Sequence, residues 1–140
     1  MINERSAMPN PTDVFMRLIQ GVAEQRWEEL SQLYAPRTDV RHPMSRESPP
    51  LLTRESVGAH FAAACTAVRG RLRFAAENIR IHATSDPEVI VAEFEYRGEN
   101  LTGHGKFSCP CVFVIRVRDG LIVESRDYID HAAFAAALKN

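Results

Sequence analysis

Asp127 and His60 are the residues of this 140-residue chain whose type and placement best suit chemistry. Asp127 lies in Leu121–Ile129, a β-rich run. Val112–Val117 is a second such run, and Asp119-Gly120 between them predicts a hairpin with a type I′ turn. In a two-residue register Val117 faces Ile122, Phe113 faces Arg126 and Val112 faces Asp127. Asp127 then shares a face with Val112, Val114, Val123 and Ser125. A carboxylate on a largely apolar face must be paired, kept neutral or left wet in a cavity. An ion pair with Arg126 or another arginine, or a strand end frayed into water, fits the same pattern. A one-residue bulge would turn Asp127 to the opposite face. His60 lies three residues from Val57 and four from Ala64, on or beside a helical apolar stripe with Phe61 and Val68. Its plainer alternative is a satisfied histidine at a helix–sheet contact. A carboxyl raised by desolvation and an imidazole titrating near neutrality can together move a proton on and off a carbonyl, enol or imine. Such catalysis typically contributes ~10²–10⁴ in rate.

His42 is a third candidate, expected at the mouth of the same pocket. The walls are expected from Phe15, Trp27, Phe61, Val112, Val114 and Ile129. His82, His104 and His131 fall in expected turns or strand ends and read as solvent-exposed. A metal site from His42, His60 and His104 has no support from spacing. Cys109-x-Cys111 lacks a second ligand pair at zinc spacing and, with Cys65, reads as buried thiols. Glu93 and Glu95 alternate with Phe94 and Tyr96, as on a half-exposed strand. Asp130 reads as a helix cap. The chain has no Gly-rich phosphate loop, nucleophile elbow or Walker motif, so no cofactor is expected.

These groups need elements to hold them. Residues 1–10 are polar and read as disordered or an arm, and 11–140 as one domain. Asn10-Pro-Thr-Asp13 opens a helix whose apolar face is Phe15, Leu18, Ile19 and Val22. Trp27, Leu30, Leu33 and Tyr34 mark a second helical stretch that Ala35-Pro36 ends. Asp39–Pro43 is a short extended piece, and Met44–Leu52, with Pro49-Pro50, a loop. Thr53 or a neighbour caps the helix that carries His60, and Gly70 stops it. Extended segments follow at 72–83, 88–97 and from 101 or 106 to 117, the last interrupted by Pro110 at a bulge or edge. A short helix spans Ala132–Leu138. Helices preceding a long antiparallel meander give an α+β fold: a curled, mainly antiparallel sheet with helices on its concave face. Such a cone leaves a mouth where small-molecule sites lie.

Composition narrows the function classes. Apolar residues make up 45% and charged residues 25%, as in globular domains, and the net charge of −1 offers no basic footprint for nucleic acid or anionic membrane. No run of 18 apolar residues occurs, and Met1–Asn10 lacks a signal-peptide core, so a cytoplasmic protein is expected. Strands with apolar or aromatic residues on both faces, such as Phe94 and Tyr96 beside Val89 and Val91, need cover on both sides, which predicts a homodimer through the outer face.

The segments Trp27–Pro36, Val40-Arg-His-Pro43, Arg54–Phe61 and Asp119–Asp130 together resemble the SnoaL-like polyketide cyclases of the nuclear transport factor 2-like (ketosteroid isomerase-like) superfamily. The resemblance runs from about Pro11 to Phe134 and implies the cystatin-like cone-shaped α+β barrel. That superfamily holds isomerases, cyclases, epoxide hydrolases, dehydratases and non-catalytic domains, so fold does not fix the reaction. Two positions are similar to the phenazine-biosynthesis A/B proteins: His60 in Arg54–His60, and Asp127, where that family has a glutamate. In that family the pair acts as acid/base groups on a small ring substrate. The steroid isomerases place a base aspartate where this chain has His42 before Pro43, and an oxyanion-donating aspartic acid near the position of Phe113. Lacking both acids, this chain is not expected to isomerise steroids by that mechanism. Three readings follow: a cofactor-independent acid/base enzyme acting on a small apolar or aromatic molecule by cyclisation, isomerisation or dehydration; a non-catalytic binder of such a molecule; and a homodimeric association domain.

Overall fold

Helix starts follow the caps written in the sequence. In the computed structural model, which describes residues 8–139, α1 spans Pro11–Ala23, with Asn10 and Asp13 forming a reciprocal capping box. α2 spans Arg54–Val68 behind a second box, Thr53 with Ser56, and α3 spans His131–Lys139, where the Ala133 amide donates to Asp130 Oδ1 at 3.0 Å. The expected arm at 1–10 falls largely on residues outside the described range. The second helical stretch is a 3₁₀ helix, Trp27–Leu33. Ala35 and Pro36 do not end it in a loop: they lie inside β1, Tyr34–Arg41. Part of the Met44–Leu52 loop joins a three-residue strand, β2, Leu51–Thr53.

The meander is β3 (Leu72–Ala83), β4 (Val89–Asn100), β5 (Lys106–Arg118) and β6 (Leu121–Ile129). The sheet order is β2-β1-β6-β5-β4-β3, antiparallel except for β1 beside β6. It curls but stays open, with β2 and β3 as edges, so the barrel does not close. β4 continues through Gly98 where a turn was expected, because glycine alone permits the approach: a Cβ there would lie 1.9 Å from the Arg73 carbonyl oxygen. Pro110 makes neither a bulge nor an edge. It stays in register with Glu95, and its carbonyl accepts from the Asp130 amide just beyond the end of β6, so its missing N–H faces the place where that strand has stopped.

The core fills the concave side. Phe15 is fully buried and meets Phe94 and Phe113 edge-to-face at 5.4 and 6.2 Å; such pairs contribute ~0.5–1.5 kcal/mol beyond their burial. Phe94, Tyr96, Phe113 and Ile115 point inward, while Val89, Val91, Val112 and Val114 lie half-buried on the other face. α3 is tied to β4 by the buried Asn100 side chain, which donates to the Ala137 carbonyl at 2.8 Å.

Candidate functional site

The β5–β6 hairpin decides which face Asp127 takes. Asp119 and Gly120 both have positive φ, 54° and 78°, as a type I′ turn requires, and Val117 pairs with Ile122 as expected. A bulge at Val123 then shifts the register, because Arg116 pairs with Glu124. Phe113 therefore faces Asp127, and Val112 faces Tyr128. Asp127 joins Phe113, Ile115 and Ser125 on the concave side. The expectation that Val112 and Val114 line the same wall is corrected: they lie on the convex face of β5, and the bulge in β6 turns Asp127 away from them to the concave one.

β1 brings the next group. Its parallel register pairs Val40 with Ser125 and Arg41 with Arg126, so His42, one residue on, stands beside Asp127. His42 Nε2 lies 3.7 Å from Asp127 Oδ2. α2 sets His60 over His42, with the rings stacked at a centroid distance of 4.7 Å. α3 begins with His131, whose ring lies 6.3 Å from that of His42. His131 is thus half-buried at the site, not solvent-exposed, because α3 folds back from its Asp130 cap over the sheet. His82 and His104 are exposed as expected.

These side chains line one cavity of about 220 Å³ between the helices and the sheet. Trp27, Phe61 and Ile129 line it as expected; Phe15 does not, lying deeper in the core. Tyr34, Tyr96, Cys109 and Phe113 complete much of the wall. Inward alternation of Phe94 and Tyr96 opposite Glu93 and Glu95 was the signal for Tyr96. Among the described residues the lining contains no lysine or arginine, and no group of three histidine, cysteine or acidic residues is arranged to hold a metal.

The electrostatics follow from burial. Asp127 is 6% exposed, and desolvation raises its pKa to about 7, although the Ser125 hydroxyl, which donates to Oδ1, pulls the other way. His42 is pushed down to about 4 by burial and by the neighbouring imidazoles of His60 and His131. His60 is lowered by the crowd of atoms around it and by His131, yet keeps one side open to solvent. His42 and Asp127 are therefore not an ion pair at neutral pH: the imidazole is uncharged and the separation exceeds a hydrogen bond. Burial, then the charge of Asp127, raises Tyr34; Tyr96 is raised mainly by burial, with Cys111 and Asp127 adding to it. Both phenols therefore stay protonated and able to donate. Raised to about 7, the Asp127 carboxyl is placed to give and to take a proton near neutral pH.

Residues 15–125 match the family model described as the SnoaL-like domain. Several solved structures share the fold. An isomerase candidate from Bacillus subtilis is 17% identical, with 99% of this chain and 96% of that one covered and a TM-score of 0.78. A hypothetical protein of ketosteroid isomerase-like fold from Catenulispora acidiphila, in complex with trimethylamine, is 14% identical over 93% and 94%, at 0.69. A phenazine biosynthesis-related protein from Pseudomonas aeruginosa is 15% identical over 90% and 88%, at 0.61. At these identities the likeness is one of fold. A search of curated protein sequences returned no match.

Proposed function

This chain belongs to the SnoaL-like domain family, and we propose that it is a cofactor-independent acid/base enzyme that cyclises, isomerises or dehydrates a small apolar or aromatic molecule. The observation that carries this reading is Asp127: a carboxyl buried in the wall of an apolar cavity, with Ser125 and an uncharged His42 beside it and no cationic side chain in the lining. In the ionised form it takes a proton from carbon next to a carbonyl. The resulting oxyanion accepts hydrogen bonds from groups that stay protonated, of which Tyr34 and Tyr96 are the candidates. The proton held on Asp127 is then returned to carbon or to a leaving oxygen. His60, at the open side, exchanges protons with water, and Trp27, Phe61 and Ile129 hold the apolar body of the substrate.

The test needs no known substrate. Small cyclic ketones in deuterium oxide should exchange their α-hydrogens faster with the wild-type protein than with Asp127→Asn, read by proton NMR. Equal rates for both proteins across the ketone series would refute the role of Asp127.

The same proposal includes a homodimer through the convex face. Val91, Val112, Val114 and Tyr128 lie there half-buried, and the helices cover only the other side.

A further inference from the structure

Three imidazoles meet at this cavity from three places in the chain: His42 just past β1, His60 from α2 and His131 from α3. They hold few partners of their own. His131 Nε2 is buried without a hydrogen bond, and His42 Nε2 stands beyond hydrogen-bond reach of Asp127. Clustered imidazoles oppose one another's protonation, and an anion placed among them would favour the charged form that the cluster alone disfavours. Among the described residues the lining holds no lysine or arginine, so these imidazoles are its latent cations. The other titratable groups facing them are Asp127 from β6, Tyr34 from β1, Tyr96 from β4 and Cys109 from β5, with Cys111 and Asp130 next to Cys109. Of these, Asp127 in its protonated form adds a donor, and the phenols are donors throughout.

Size limits the rest of the ligand. An apolar cavity of ~150 Å³ holds benzene, so about 220 Å³ holds roughly nine non-hydrogen atoms, one six-membered ring with a carboxylate. The apolar lining side chains, Leu18, Val22, Trp27 and Phe61 among them, suit the ring.

We propose that His42, His60 and His131 form an anion subsite, and that the natural substrate is a one-ring carboxylic acid whose carboxylate sits among the three imidazoles and whose binding takes up a proton. This rests on reading the cavity as the substrate site.

The test compares benzoate with benzamide, equal in size and differing in charge, by calorimetry from pH 8 to pH 6, where benzoate stays ionised. One proton taken up strengthens binding by as much as tenfold per pH unit. Benzoate affinity should therefore rise at least tenfold over this range while benzamide affinity stays level. The heat of benzoate binding should vary with the ionisation enthalpy of the buffer. The preference for benzoate should persist in Asp127→Asn and vanish in the double variant His60→Gln/His131→Gln, whose fold is checked by circular dichroism and urea unfolding. A three-ring acid, 9-anthroate, should bind at least tenfold more weakly than benzoate. Any of three results would overturn the proposal: no preference for benzoate at pH 6, a preference surviving in the double variant, or one lost in Asp127→Asn, which would assign the proton to that carboxyl. The deuterium-exchange test separates this claim from the catalytic one. Asp127→Asn loses exchange if the catalytic reading holds, whatever benzoate does.

Discussion

Replacing Asp127 by asparagine should make the protein more stable at alkaline pH and nearly neutral in effect at acid pH. Burial raises the carboxyl from an ordinary 3.8 to about 7, so the folded state binds a proton that the unfolded state has released. The sign follows: between these values the unfolded state holds fewer protons, and stability falls as pH rises, levelling off above 7. At about 1.4 kcal/mol per pH unit, the full effect is roughly 4 kcal/mol at pH 8. The open mouth of the cavity and the Ser125 hydroxyl both shelter the charge, so a gain of between about 1 and 4 kcal/mol is expected for Asn, which is isosteric with the protonated acid. Urea unfolding of both proteins at pH 4, 6 and 8 reads this directly. At pH 4 the difference should shrink below about 1 kcal/mol, because the folded carboxyl is then protonated and the unfolded one is already roughly half protonated. A difference constant across pH, or an asparagine variant less stable than wild type at pH 8, would refute the reasoning.

Gly98→Ala should cost more than ~2 kcal/mol in the same assay, since the added carbon meets the backbone of Arg73 and Phe74 rather than a side chain that can move; a change under about 0.5 kcal/mol would contradict the observed β3–β4 register. Val114→Lys should leave ligand binding intact, because it faces away from the cavity, and should shift sedimentation from dimer to monomer; a wild-type protein that sediments near its monomer mass of 15.7 kDa at micromolar concentration would count against the dimer. Deuterium exchange by the wild type should rise with pH through about 7 as Asp127 ionises, and a rate that falls across that range would show that its protonated form starts the reaction instead.

Local chemistry made much of the scaffold legible. The caps at Asn10, Thr53 and Asp130 and the turn at Asp119-Gly120 each involve neighbours within a few residues, and each formed as its residue types dictate. The site was harder where it depends on long-range pairing. His42 reaches Asp127 because β1 lies parallel to β6, a contact across 85 positions that no local pattern announces. The bulge at Val123 had no signature, since valine is a good strand residue in either register, and it turned Asp127 from the face of Val112 and Val114 to that of Phe113 and Ile115. Helical spacing placed Phe15 on the inward face of α1 but gave no depth, and depth separates a core residue from a pocket wall. His131 sits one residue past its cap, and only the return of α3 over the sheet turns it into the cavity.

Proton transfer by Asp127 as proposed requires a buried carboxyl near half-ionisation at neutral pH. Carbon-13 NMR of protein labelled at the aspartate side-chain carbonyl, with Asp127 assigned by its loss in Asp127→Asn, measures that pKa without knowledge of any substrate. A midpoint near 7 is expected. A midpoint near 4 for Asp127 would contradict it, because the group would then be an ordinary solvated or ion-paired carboxylate with no special capacity to return a proton.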